Sequence, residues 1–375
     1  MLYIFIANYY PEFKDGRVKR VQALEKYLLK NKKNYKVISL GEKTKDETHS
    51  FKFKSEVLKK VLSRNIAWGN SKSASLFNRN LLKILNHLVW PDRYFFDSMR
   101  LYFYMKKKIT SDDVIFISSP WFSFLIFAFL PTKNIFLDFR DLYLGNKIFS
   151  KIPFLDSIFL KKALSKSQKI FVTNKSAQIN LKHLDQSLNV AVVPNGITEA
   201  QFNFIKTIKN NLEVNTSTNL IGHFGNLGGK RNALDFLSAI SRSDSQLRLV
   251  GNFAHEYIIL FGDCCSDILP WEDMIKSALE CEYLLVIIRE DEHAEFAIPG
   301  KVYEYIALQK PIILYSPKNA AVRLFLLEIN YKHAWVDSEE HIEKQFNIHD
   351  IEFKGLLECE PVIRERYFEK EFSQF

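Results

Sequence analysis

Short apolar runs recur along the chain, and an amphipathic stretch follows almost every one. The runs are Leu2–Ala7, Tyr35–Leu40, Val114–Ser118, Asn134–Phe139, Lys169–Thr173 and Val190–Val193, then Leu220–Phe224, Leu247–Val250, Tyr283–Ile288 and Ile312–Tyr315. Between them lie helical patterns over 18–30, where Val21, Leu24 and Leu28 share a side, and over 153–164, 175–184, 233–240, 271–279 and 320–328. A helix is also expected from Trp121. Strand and helix in strict alternation predict parallel sheets covered by helices on both faces, an α/β doubly wound architecture. Pro194-Asn195-Gly196 is a tight-turn signal and divides the chain into halves with the same pattern. Two such units predict a cleft, with ligands bound beyond the carboxyl ends of the strands. The segment 43–75 is polar and basic, with helices expected over 56–62 and 76–88; RERYFEKEF near the C-terminus reads as helical.

The chain has 375 residues, of which 47% are hydrophobic, enough for two domains with real cores. Its formal net charge of +9 suits an anionic partner: nucleotide phosphates, a membrane surface or nucleic acid. Lys and Arg interleave with aromatics around 52–64 and 93–108, a pattern that suits a membrane interface, and no nucleic-acid module is present. The run Val114–Leu130 approaches bilayer length, but Ser118, Ser119 and Pro120 interrupt it, so a buried strand, a turn and a buried helix are expected there. The opening MLYIFIANYYPEF lacks a basic n-region and a small-residue cleavage site, and reads as a first strand. The four cysteines show no C-x-x-C spacing, the histidines show no metal-ligand spacing, and a reducing cytoplasm fits.

Several stretches could carry chemistry. GNLGGKRN, Gly225 to Asn232, joins a strand to a helix. Its glycines would let backbone amides approach an anion, and Lys230 and Arg231 add charge where a helix begins. It is neither a P-loop nor G-x-G-x-x-G, and an ordinary βα turn with solvated basic residues has the same look. Asp15-Gly16-Arg17 closes the first βα loop, either as a cleft-facing backbone or as a plain loop glycine. LDFRDLYLGN places Asp138, Arg140 and Asp141 at a strand's carboxyl end, where they could orient a sugar hydroxyl or phosphate, or pair structurally. His223 reads as a core histidine bonded to backbone. PGKVYEYIALQKPII, from Pro299, starts a helix at a Pro-Gly and sets Glu304 among apolar residues beside Lys301. That acid needs a partner or an opening.

In this order, the opening strand with NYYPEFKDGRVKRVQALEKYL, WPDRYFF, ISSPWFS, LDFRDLY, VVPNGI, GHFGNLGGKRN and PGKVYEYIALQKPII resemble the GT-B retaining glycosyltransferases of bacterial surface-polysaccharide synthesis. LDFRDLY with PGKVYEYIA is similar to the branch of N-acetylfucosamine- and N-acetylmannosamine-type transferases acting on lipid-linked sugars. The resemblance implies the GT-B fold, two Rossmann-like doubly wound domains facing across a cleft. It implies an acceptor-side domain over 1–196, a nucleotide-sugar-binding domain over 197–360, and a C-terminal helix, 361–375, crossing back to the first. The implied activity is a hexosyltransferase-type, retaining, metal-independent transfer from a nucleoside-diphosphate sugar to a lipid-linked or glycan acceptor in capsule, O-antigen or exopolysaccharide synthesis. No cofactor is implied beyond the donor itself, and the implied location is cytoplasmic, peripheral at the membrane.

Catalytic residues would be Lys230, Asp138, Arg140 and Asp141. The donor would be held by Gly16, Gly225, Asn226, Lys230, Arg231, Leu269, Trp271, Pro299, Lys301 and Glu304, with Glu304 accepting from ribose hydroxyls and Leu269 to Trp271 near the base. Departures from relatives are Phe296 for a common Glu, Asn226 for a common Arg, Gln309 for a common Gly, and no histidine near the donor sugar, with Trp121 close to its place. A GT-B scaffold or binding protein without turnover is the alternative; a sugar-nucleotide epimerase fits these motifs less well.

Overall fold

A computed structural model describes residues 1–6, 16–39, 49–50, 92, 95–119, 122–140, 153–211, 217–228, 233–288, 294–338 and 351–372. The chain divides into two compact units. The first comprises Met1–Thr173, Gln178–Val193 and Glu371–Phe375; the second comprises Asn174–Ala177 and Pro194–Lys370.

The first unit is a seven-stranded sheet in the order β3-β2-β1-β4-β5-β6-β7. Its strands are β1 (Leu2–Ile6), β2 (Tyr35–Ser39), β3 (His49–Ser50), β4 (Val114–Ser119), β5 (Asn134–Phe139), β6 (Lys169–Val172) and β7 (Val190–Val192). Every pairing is parallel, with Leu2 beside both Tyr35 and Val114. Parallel strands covered on both faces must be apolar throughout, which explains runs such as LYIFI and NIFLDF. The helices are α1 (Gly16–Lys30), α2 (Phe95–Lys106), α3 (Pro153–Lys166) and α4 (Lys175–Leu184); the first three residues of α4 are counted with the second unit.

After β4 the expected helix is wound more tightly, as a 3-10 run over Phe122–Phe129. Its start is held by Asp92, which accepts from the Ser123 amide and hydroxyl at 2.8 Å each. Phe122, Phe124, Leu125 and Phe127 are all buried, so this apolar run needs no lipid. Among the described residues, no helix is long and apolar enough to cross a membrane.

Phenylalanines dominate this core. Phe5 stacks on Phe127 at 4.3 Å. Phe372, at the end of the C-terminal helix, lies 5.1 Å from Phe171 and 5.8 Å from Phe116, and its carbonyl accepts from the Tyr27 hydroxyl at 2.6 Å. Beside it, Glu371 pairs with Lys169 at 2.7 Å.

The second unit repeats the plan with six parallel strands in the order β10-β9-β8-β11-β12-β13. These are β8 (Ser217–Phe224), β9 (Gln246–Val250), β10 (Cys265–Ser266), β11 (Cys281–Ile287), β12 (Ile312–Ser316) and β13 (His333–Asp337). Its helices are α5 (Glu199–Asn211), α6 (Leu234–Ser241), α7 (His255–Phe261), α8 (Trp271–Glu280), α9 (Gly300–Leu308), α10 (Ala321–Glu328) and α11 (Arg364–Phe372), the last two residues of α11 being counted with the first unit. Helix α5 has a reciprocal cap: the Gln201 amide donates to Thr198 Oγ1 at 3.1 Å, and the Thr198 amide donates to Gln201 Oε1 at 3.0 Å. The helices expected over 56–62 and 76–88 lie outside the described residues.

Candidate functional site

In a doubly wound sheet the crevice opens where strand order reverses. In the second unit that point lies between the neighbours β8 and β11. The chain leaves β8 into Gly225-Asn226-Leu227-Gly228, and the segment after β11 leads into α9. The two motifs singled out in the sequence, the glycine loop and the Pro-Gly helix start, therefore meet at one switch point.

The glycines of this loop are explained first by packing. Gly225 has φ +147 and Gly228 φ +132, both unfavourable for other residues. The Gly225 amide donates to the Val250 carbonyl at 2.7 Å, and the Leu227 amide donates to Asn252 at 3.1 Å. The loops after β8 and β9 thus extend the sheet. A side chain on Gly251 would come within 2.3 Å of the Gly225 carbonyl oxygen. The amide of Gly225, expected to face an anion, is committed within the sheet extension instead. Asn226 is exposed, and its Oδ1 accepts from the Asn252 amide at 3.2 Å.

Lys301, in the first turn of α9, reaches across to this loop. Its ammonium lies 3.0 Å from where a Cβ on Gly225 would sit. It also lies 3.4 Å from His223 Nε2. The other ring nitrogen, Nδ1, is 3.1 Å from the Leu285 carbonyl. A carbonyl can only accept, so Nδ1 carries the proton and Nε2 is left to accept from Lys301. The buried histidine is thus bonded to backbone, and in addition it positions the lysine beside the glycine loop.

Helix α9 begins at Pro299, whose side chain offers no acceptor to the first amides. A Cβ on Gly300 would meet nothing within 4 Å, so the approach to this helix start is open. One turn on, Glu304 Oε1 accepts from the Trp271 indole N–H at 2.8 Å. Trp271 opens α8, packs 5.3 Å from Phe204 of α5, and lies with Leu269 against the core of the unit. The acid's partner is therefore an indole, which donates to one of its two oxygens. Below it, Tyr305 is fully enclosed; burial pushes its phenol well above the ordinary 10, so it stays neutral while accepting from the Phe224 amide at 3.4 Å. The helix ends at Gln309 in the left-handed region, φ 55 and ψ 44, the conformation that favours glycine. Here Lys209 donates to the Gln309 side chain.

Phe296 and Glu295 lie in the turn before α9. The Phe296 carbonyl accepts from Asn174 Nδ2 at 2.6 Å, while Glu295 Oε1 accepts from Asn319 Nδ2 at 2.6 Å. Glu295 is directed to the start of α10 and does not take the place of an acid at 296. Lys230, Arg231 and Asp141 lie outside the described residues.

In the first unit, Asp138 is corrected from a substrate-facing acid to an interior anchor. It has no exposed surface. Arg20 Nη2 donates to its Oδ1 at 2.5 Å and Ser118 Oγ to its Oδ2 at 3.2 Å. Arg20 also donates to the Val193 carbonyl, so one guanidinium ties α1 to β5 and to the residue after β7. Arg140 sits just past β5 with 8% exposure, and its carbonyl accepts from Thr173. Gly16 begins α1 on the loop side of β1, at the first unit's own reversal between β1 and β4.

Burial raises the Cys281 thiol to about 11 and also raises the thiols of Cys264, Cys265 and Cys359, so none is poised as a thiolate. Among the described residues, no three His, Cys, Asp or Glu side chains are grouped to hold a metal ion.

No family model matches the chain, and no curated protein matches it in sequence. Solved structures do. A glycosyltransferase from Rickettsia africae superposes with a TM-score of 0.54 at 15% identity, covering 92% of this chain and 85% of that one. WaaG, a glycosyltransferase involved in lipopolysaccharide biosynthesis, gives 0.52 at 12%, covering 91% and 87%. Anabaena HepE, solved in complex with UDP and glucose, gives 0.53 at 12%, covering 92% and 86%. With its two parallel α/β units, the chain has the GT-B fold.

Proposed function

We propose that this chain is a retaining, metal-independent glycosyltransferase of hexosyltransferase type. It would move a sugar from a nucleoside-diphosphate sugar to a lipid-linked or glycan acceptor in bacterial surface-polysaccharide synthesis, at the cytoplasmic face of the membrane. The observation that carries this reading is the switch point of the second unit. There an uncapped, open helix start, a lysine held by a histidine, and a carboxylate oriented by an indole lie along one wall. Two of the three similar structures are glycosyltransferases, and the third holds UDP and glucose.

Residues 197–360 would bind the donor. Glu304 would accept from the ribose hydroxyls while Trp271 fixes its orientation. Lys301 and the first amides of α9 would meet the diphosphate, joined by Lys230 and Arg231 from the glycine loop. Residues 1–196 would carry the acceptor side, with Arg140, Asp141 and Gly16 toward the substrates and residues 361–375 returning to that domain. Cleaving the sugar–phosphate bond leaves negative charge on the diphosphate and an oxocarbenium-like centre on the sugar. The protein's main task is then to stabilise that departing charge and exclude water.

The test is calorimetry with UDP, GDP, ADP and CMP, followed by transfer to lipid-linked acceptors. Binding of one nucleoside diphosphate is expected, and Lys230→Ala should lower turnover by a hundredfold or so, about 3 kcal/mol. If none of the nucleotides binds, the donor site is misassigned.

Phe296, at the position of a common acid, with Glu295 turned to Asn319, supports a second reading as a donor-binding protein without turnover. Nucleotide binding with neither hydrolysis nor transfer would favour it.

A further inference from the structure

Two helices of the first unit lie on the same buried 3-10 run. From α2, Ser98 meets Ser123 at 3.3 Å and the Tyr102 hydroxyl donates to the Phe129 carbonyl at 3.1 Å. From α3, Phe159 packs 5.6 Å from Phe122 and 5.5 Å from Phe129. Each helix therefore has an inward face fixed by packing. On α2 that face is Ser98, Leu101 and Met105.

The outward face of a surface helix is ordinarily polar. Here it is not. Phe96, Arg100, Phe103 and Lys107 recur at the spacing of a single helical stripe. Phe96 is 55% exposed and Phe103 56%. Helix α3 repeats the arrangement, with Phe154 73% exposed and Ile158 39%, then Lys161 and Lys162 in the following turn. The acids on these helices are placed away from the exposed faces, since Asp156 is buried and Asp97 half-buried.

Exposed aromatics alternating with cations on helices lying against a core match the physics of an interfacial surface. Rings enter the boundary between headgroups and acyl chains, while Lys and Arg remain at the phosphates. Positive charge with little opposing charge favours an anionic bilayer over a neutral one. We propose that the outward faces of α2 and α3 form a docking surface for an anionic membrane, with Phe96, Phe103 and Phe154 inserting and Arg100, Lys107, Lys161 and Lys162 meeting lipid phosphates. The inference deepens the reading of a lipid-linked acceptor and names the surface that would bring the enzyme to it.

The test is flotation of the full chain with vesicles of equal parts phosphatidylglycerol and phosphatidylcholine, against vesicles of phosphatidylcholine alone. Binding is expected to the first and to be about tenfold weaker or more to the second, and to fall as salt rises. The triple variant Phe96→Ser, Phe103→Ser, Phe154→Ser should lose about tenfold or more in partitioning, and Arg100→Glu with Lys107→Glu should lose the preference for anionic vesicles. These side chains are exposed, and an unchanged melting curve confirms that each variant is folded. No partitioning of the wild type, or variants that float like it, overturns the proposal. Nucleotide calorimetry on the same samples separates the two ideas: vesicle binding without nucleotide binding sinks the donor reading and leaves the docking surface standing.

Discussion

Replacing Asp138 separates an anchoring role from a catalytic one. The carboxylate and Arg20 have no exposed side-chain surface, and their closest contact is 2.5 Å. Removing one member of a buried pair leaves the other charge uncompensated, at a cost of about 3–5 kcal/mol. Asn can still accept from Arg20 and Ser118, so Asp138→Asn should fall near 3 kcal/mol and Asp138→Ala near 5 kcal/mol, as order-of-magnitude figures. For a unit of this size each kcal/mol moves the melting temperature by about 2–4 °C, so Asp138→Asn should lower the first unit's transition by roughly 6–12 °C. The two units can melt separately, so calorimetry on the full chain should be paired with hydrogen exchange to locate the loss in β5, α1 and β7. The double variant Arg20→Met, Asp138→Leu should recover most of the stability, because no charge is left buried alone. Suppose instead that Asp138→Asn melts like wild type while glycosyl transfer falls a hundredfold. The anchor assignment is then wrong, and the acid acts on substrate.

Trp271→Phe keeps a ring against Phe204 but removes the N–H that Glu304 accepts. Nucleotide affinity should drop by roughly three- to tenfold, about 0.7–1.4 kcal/mol, with little change in melting; calorimetry showing undiminished affinity would mean that the indole does not orient the acid. His333 provides a pH dependence. Burial lowers its pKa below the ordinary 6.5, against a raising contribution from the Tyr331 carbonyl, with Arg323 and Lys354 adding to the lowering. The unfolded chain therefore binds the proton more readily. This contribution to stability is complete above about pH 6.5 and is lost as pH falls through the folded pKa. His333→Gln should flatten that part of a stability-against-pH curve measured by denaturant unfolding, and an unaltered slope would assign the titration to another group.

The sheets were legible because parallel strands must be apolar on both faces. Runs such as Val114–Ser118 and Asn134–Phe139 admit no amphipathic alternative of strand length, and the strands read from such runs have ends within three residues of the readings. Elements that depend on few apolar residues escaped. Helix α5 was missed although Thr198 and Gln201 spell its capping box, because its inward face rests on little more than Ile205 and Ile208. Strand β13 was missed because HAWVD at a sheet edge has polar ends and only Trp, Val and Ala between. The winding of Phe122–Phe129 was beyond the sequence, since an apolar run without a polar face has no period to read.

Site residues divide along the same line. Motifs at the ends of strands could be placed, because a parallel sheet brings every carboxyl end to one side. Gly225 and Lys301 lie far apart in sequence, yet adjacency of β8 and β11 brings the lysine over the glycine. Partnerships could not be placed, because each depends on where a side chain from another element arrives. Asp138 and Glu304 both looked like acids awaiting substrate. One receives a guanidinium from α1 and is closed off; the other receives an indole from α8 and remains beside an open helix start. A guanidinium neutralises the carboxylate and forks across both oxygens, whereas an indole donates one proton to one oxygen and leaves the charge in place. That difference in donor chemistry, invisible in the one-dimensional pattern, makes Asp138 a part of the scaffold and leaves Glu304 as the acid that the proposed donor site would use.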